Sequence, residues 1–197
     1  TERGRNFVNN AKKPNGIKDK NGHGTHVAGI LAAIDNTIGV VGVAENATIV
    51  PLRVFGSSGQ GFVDDIVEAV DYAAANAASG DVVNMSLTTY GLFDSLRDAV
   101  IAAADKGIKF AICAGNGSDF AGNYDPSRVE HKNVFTVSSI DKKDNFASFS
   151  SYGNPPIDFA APGVDVESYI LNGVIQSWNG CSMATPHVAA IMLFGKP

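Results

Sequence analysis

Cysteine is scarce: Cys113 and Cys181 are the two in 197 residues, which excludes both a disulfide-scaffolded fold and a four-thiolate metal centre. No apolar run nears the roughly 18 to 20 residues of a membrane-spanning helix, so no membrane partner is expected. Basic charge is also short, with 15 Lys and Arg against 20 Asp and Glu and a net charge of -5. That balance argues against a nucleic-acid surface. Repeats, low-complexity tracts and a clear linker are missing. The start, Thr1-Glu2-Arg3-Gly4-Arg5, has neither an initiator Met nor an apolar signal core, so it reads as an internal or processed end. What remains is a chain 45% hydrophobic and 18% charged, enough for one globular domain over residues 1–197.

Along the chain, Lys12-Lys13-Pro14-Asn15-Gly16 and Asp19-Lys20-Asn21-Gly22 mark turns in a polar entry, with a short strand near Phe7-Val8. Val27, Ile30, Leu31 and Ile34 recur three or four apart and predict a helix from His23. Its first turn carries His23 and His26, but His-x-x-His without the glutamate of a zinc-hydrolase helix argues weakly for metal. A strand is expected over Thr48–Phe55 and a helix over Val63–Ala78, with Asp64 and Asp65 favouring its N-terminal dipole. Val82–Leu87 reads as a strand, Phe93–Lys106 as a helix, and Ile108–Cys113 and Val134–Val137 as strands. Ile157–Gly163 reads as a short buried segment closed by a turn, and Val164–Ile170 with Val174–Trp178 as a hairpin. Alternating strands and helices predict an α/β fold with a mostly parallel sheet.

Two sites in that arrangement carry chemistry. Gly180 allows a tight turn before Ser182, and the apolar run Val188–Phe194 that follows predicts a buried helix with the serine at its mouth. Alone, Ser182 is an N-cap residue. Asn116, in Ala114-Gly115-Asn116-Gly117, follows a strand and falls at the carboxyl edge of the sheet, where functional groups gather; alone it is a turn residue. Together with His23 they form a nucleophile, a general base of near-neutral pKa and an amide donor for an oxyanion.

The motifs Asn21-Gly22-His23-Gly24-Thr25-His26-Val27-Ala28-Gly29, Ala114-Gly115-Asn116-Gly117 and Gly180-Cys181-Ser182-Met183-Ala184-Thr185-Pro186-His187-Val188-Ala189 resemble those of the subtilisin-like serine peptidases, in the family's order. Asn84-Met85-Ser86-Leu87 and Phe149-Ser150-Ser151 fit between them. The resemblance implies a three-layer α/β fold, helices on both faces of the sheet, and a secreted endopeptidase. Ser182 would be the nucleophile, His23 the base and the Asn116 side chain the oxyanion donor. An extended polypeptide would lie as an added strand between two segments, one of Gly59, Gln60 and Gly61, the other of Ser86, Leu87 and Thr88. Val63, Cys113, Ala114 and Gly115 would border subsites for apolar or medium-sized side chains. Asp35–Val40 resembles a calcium loop, with the Asn36 side chain and the carbonyls of Ile34, Ile38 and Val40 as oxygen ligands.

The sequence also departs from the family. The family's triad aspartate ends a central strand before the histidine; here 22 residues precede His23, Asp19 lies in a turn, and Glu2 fits no better. The expectation is a domain truncated at both ends, with a propeptide or missing N-terminal segment as partner or a locally rearranged sheet, and with weakened turnover. A peptide-binding chain with little turnover is the alternative function. An α/β-hydrolase esterase is disfavoured because His187 lies in the serine's own helix. Cys181 replaces the family's usual threonine, and the resemblance puts it near Cys113, so a disulfide or shared thiol chemistry is a hypothesis.

Overall fold

A computed structural model describes residues 3–9 and 16–195. The expected turn at 12–15 and Glu2 lie outside the described residues. Four parallel strands form the main sheet in sequence order: β3 (Val82–Met85), β4 (Lys109–Cys113), β5 (Val134–Ile140) and β6 (Ile157–Pro162). Two very short parallel strands, β1 (Arg5–Asn6) and β2 (Leu52–Arg53), form a separate pair. The hairpin is present as β7 (Val166–Tyr169) and β8 (Ile175–Trp178).

Helices cover both faces. On one side α2 (Val63–Asn76) and α3 (Asp94–Asp105) close the larger core, in which Leu96, Val100, Phe110 and Ile112 have no exposed surface. Burying each such side chain contributes about 1.5 to 3 kcal/mol. On the other side α4 (Cys181–Met192) packs Ala184, Val188 and Ala189 on Ala111, Val137 and Ala161. Small residues on both surfaces let the helix approach the sheet closely. The remaining helix, α1 (His23–Ala32), rests on α4 and β7.

Several expectations shift at element ends. The apolar spacing puts Ile34 on the buried face of the first helix, but α1 stops at Ala32 and Ile34 is 59% exposed. The cause is a returning loop: Val43 and Ala44 donate their N–H groups to the carbonyls of Ile30 and Leu31, and Gly42 donates to Ala33. Likewise α4 ends at Met192, leaving Leu193 and Phe194 exposed. Ile157–Gly163, expected as a short buried segment, forms strand β6 over Ile157–Pro162, in which Ala161 alone is buried because the strand is the last of the described sheet. The strand expected over Thr48–Phe55 contracts to two residues because, among the described residues, it pairs only with β1.

β2 and β3 are not hydrogen-bonded to each other. Between them lies a cavity of about 860 Å³, walled by residues 47–56 on one side and 81–84, 86 and 87 on the other, with Leu31, Ala189 and Leu193 among its remaining lining. Asn84 Oδ1, on the β3 wall, is buried with no hydrogen-bond partner among the described residues. The sheet therefore does not rearrange to close the gap anticipated from the sequence.

Candidate active site

His23, Asn116 and Ser182 line one cavity of about 470 Å³ with Ser177, Trp178, Asn179 and Met183. Each of the three comes from the start of a helix or the end of a strand.

His23 opens α1. Asp19 fixes this helix start: its carboxylate accepts the N–H groups of Asn21 (2.8 Å), Gly22 (2.9 Å) and Thr25 (2.9 Å), and the Thr25 hydroxyl (2.7 Å). Burial pushes the Asp19 carboxyl up, but these hydrogen bonds outweigh it and hold the pKa at about 2. So Asp19 is spent on the helix terminus. One turn on, buried His26 stacks on Trp178, with ring centroids 4.6 Å apart and planes 2° from parallel, and shares a hydrogen bond with the Gln176 carbonyl at 3.0 Å. Ser168 donates to the His26 carbonyl at 2.8 Å. The hairpin thus locks α1 in place. The His23 pKa is lowered, first by burial and further by neighbouring His26, with the charge of Asp19 opposing. Among the described residues no side chain hydrogen-bonds the His23 imidazole.

Ser182 lies in the first turn of α4, after Gly180 at φ 149°, a conformation that disfavours any side chain. Pro186 sits four residues later inside the helix. Lacking an N–H, it cannot bond the Ser182 carbonyl, which instead accepts the Ser86 hydroxyl at 2.8 Å. In return the Ser182 hydroxyl donates to the Ser86 carbonyl at 3.2 Å. The Ser182 N–H is among the groups a helix start leaves without an internal partner. Sequence reasoning missed this serine pair; proline at the fourth position after Ser182 was its readable signal.

Asn116 is exposed just beyond β4. Its Oδ1 accepts the Cys181 N–H at 2.8 Å, which leaves the Nδ2 end of the amide as the free donor. Cys113 and Cys181 are disulfide-bonded, with Cα atoms 5.3 Å apart.

The expected substrate-binding residues divide. Gly59, Gln60 and Gly61 form an exposed turn, in which Gly56 donates to the Gln60 carbonyl at 2.9 Å. Asn21 ties this turn to α1 through Ser57. Val63 is half-buried at the start of α2; Ser86 is buried, and Leu87 and Thr88 are half-buried. Cys113 and Ala114 are buried, so their side chains offer a ligand no surface, and Gly115 beside them is buried too.

In the proposed calcium loop, Asn36 Oδ1 accepts the Ile38 N–H at 2.7 Å, and the Ile38 carbonyl accepts the Tyr169 hydroxyl at 2.8 Å. Hard oxygens suit calcium, but the ion takes about six to eight of them. The carbonyls of Ile34, Ile38 and Val40 with Asn36 supply too few, and none is a carboxylate. Alone they do not complete such a site. Among the described residues no three His, Cys, Asp or Glu side chains are grouped to hold a metal.

The chain matches the subtilase family over residues 2–194. It is 42% identical over 172 residues to an alkaline protease of Alkalihalobacillus alcalophilus, covering 87% of this chain and 44% of the relative. To Subtilisin Savinase of Lederbergia lenta it is 41% identical over 172 residues, covering 87% and 62%. The crystal structure of a cold-adapted subtilisin-like serine proteinase superposes with a TM-score of 0.87 at 38% identity, covering 97% of this chain and 66% of that one. The chain thus spans about half to two thirds of the length of these relatives. No helix among the described residues is long and apolar enough to cross a membrane. With motifs, fold and a match along almost its full length in agreement, the chain belongs to the subtilase family.

Proposed function

We propose that this chain carries the catalytic body of a serine endopeptidase acting through an acyl-enzyme on Ser182. The observation that supports this reading is the convergence of His23, Asn116 and Ser182 on one cavity from three separate elements. In the reaction, the Ser182 hydroxyl leaves its bond to the Ser86 carbonyl, gives its proton to His23 and attacks the scissile carbonyl carbon. Negative charge develops on the carbonyl oxygen, where Asn116 Nδ2 and the Ser182 N–H stabilise it, aided by the N-terminal dipole of α4. His23 then protonates the leaving amine, and water hydrolyses the acyl-enzyme by the reverse proton path. An extended polypeptide lies between Gly59–Gly61 and Ser86–Thr88, bound mainly through its backbone. Intact-mass detection of a fluorophosphonate adduct on Ser182, absent in Ser182→Ala, tests the reading. A folded chain that takes no label counts against it.

A second reading, binding of extended peptides with little turnover, is favoured by one observation: among the described residues no carboxylate orients the His23 imidazole. Peptide affinity that survives Ser182→Ala, with no cleavage by the wild type, would distinguish it. Under either reading the partner that completes the fold is an extended segment seated between β2 and β3, either a propeptide or an N-terminal segment. The slot's size, its apolar walls and the unpartnered Asn84 Oδ1 support that assignment. Calcium at Asn36, Ile34, Ile38 and Val40 would be structural and would draw further oxygens from outside the loop. Secretion follows from the resemblance to the family.

A further inference from the structure

We propose that the Cys113–Cys181 disulfide is a positioning element of the oxyanion site, so that its reduction slows chemistry at Ser182 in the folded protein. The inference rests on Asn116 being the oxyanion donor.

The bond joins the two segments that bring the oxyanion donors together. Cys113 is the last residue of β4, three before Asn116; Cys181 is the first residue of α4, one before Ser182. Two weaker links run alongside it. The Gly115 N–H donates to Cys181 Sγ at 3.3 Å, and the Cys181 N–H donates to Asn116 Oδ1 at 2.8 Å. The second of these sets the plane of the Asn116 amide and so the aim of Nδ2. Because Asn116 itself is exposed, little else packs its side chain into one rotamer. The covalent bond therefore fixes the separation across which that hydrogen bond must reach.

The cysteines are 2% and 0% exposed, and adjoining Ala114 and Ala184 are fully buried. Reduction transfers two electrons and two protons from a dithiol, which becomes a cyclic disulfide, and leaves two thiols. The sulfurs must then part from bonding to van der Waals separation among buried neighbours. The end of β4 and the start of α4 are pushed apart, and the Cys181 to Asn116 hydrogen bond is the link that gives. Burial also means that a dithiol gains access only through local opening, so the bond should resist mild reductant in the native state.

A staple that serves stability alone would leave the folded protein's chemistry intact. A positioning element changes the chemical step and spares binding. The first measurement is a count of free thiols in the unfolded, unreduced chain; two thiols overturn the proposal. The second is fluorophosphonate labelling of oxidised and dithiol-reduced protein at a temperature where both are folded. The first-order labelling step should fall about tenfold on reduction, while the concentration dependence stays within about twofold. Cys113→Ser with Cys181→Ser should match the reduced protein and ignore reductant. The third follows the Asn116 side-chain amide by NMR in ¹⁵N-asparagine-labelled protein, assigned with Asn116→Ser; this resonance should move on reduction. Equal labelling in both states overturns the proposal. If neither state labels, the nucleophile assignment fails, and the amide resonance alone decides: movement sustains the clamp, and an unmoved resonance overturns it.

Discussion

Ser86 and Ser182 exchange hydrogen bonds: the Ser86 hydroxyl donates to the Ser182 carbonyl at 2.8 Å and the Ser182 hydroxyl to the Ser86 carbonyl at 3.2 Å. The end of β3 thus holds Ser182 from both sides. Ser86→Ala leaves the Ser182 carbonyl, already without a helical partner, unsatisfied in a largely buried place. A loss of about 1 to 2 kcal/mol in urea-unfolding free energy is expected, together with slower labelling of Ser182. Unchanged stability would mean that water replaces the lost donor.

Asn116 sits on the rim and makes one hydrogen bond with its oxygen. Asn116→Ala leaves the N–H of buried Cys181 without its acceptor and should cost about 1 kcal/mol of stability, and it should lower the labelling or acylation rate by about 10² to 10³, with affinity for substrate little altered. A loss confined to KM would reassign Asn116 to substrate binding.

His23, His26 and His187 all have pKa values lowered from 6.5, each with burial as the first cause. The acid limb of Ser182 labelling should accordingly fall below pH 6.5, because His23 stays neutral to lower pH than an ordinary histidine. Stability follows the same sign. As pH drops through 6.5 the unfolded chain takes up protons first, so the folded state loses stability from there down to the folded pKa values. Urea titrations at about pH 7.5 and about pH 5.5 should show the midpoint falling; a flat profile would contradict the burial of these rings.

Asp19 titrates the other way. Its pKa is lowered from 3.8 to about 2, so its contribution is complete above pH 3.8 and disappears as pH falls towards 2. Asp19→Ala removes the acceptor for the first turn of α1 and should cost about 1 to 2 kcal/mol at neutral pH, with the difference from wild type vanishing near pH 2. Thermal melts across that range measure both points.

The slot between β2 and β3 predicts complementation. His23 also lines this slot, so a synthetic peptide of about six or seven residues, the length of an ordinary strand, apolar on both faces and ending in Asp beside His23, should raise both stability and Ser182 labelling. Loss of the orienting carboxylate in such triads costs roughly 10⁴ in rate, which sets the ceiling for rescue. The same peptide ending in Asn should stabilise without restoring the rate. If both peptides act alike, the slot binds a strand but does not orient His23.

Much of this is legible in the residues. Helices α2 and α3 follow their apolar spacing, and β3, β4 and β5 follow apolar runs, because burial alone specifies such elements. The positions of His23, Asn116 and Ser182 at element ends are likewise readable, since turns, strand ends and helix starts have local signatures. Ile34 is misplaced by its spacing because the end of α1 is set by N–H groups of residues 42–44, a tertiary event with no local mark. The extent of β2 fails for a similar reason: strand length depends on a neighbour. Asp19 invites comparison only with a triad partner for His23, whereas its spacing before Thr25 suits it to bind the helix start.

Pro186 has an implication for how the site comes apart. An ordinary helix residue is held by its own ladder and is released only when the helix frays. Ser182 has lost that rung, and its carbonyl is held by a side chain at the end of β3, a strand that among the described residues has one open edge. Local opening at that edge frees the serine while the rest of α4 stays wound against the sheet. In native-state hydrogen exchange, the first turn of α4 should therefore open in the same cooperative unit as the end of β3, with Ser182 released by partial unfolding before the rest of its helix.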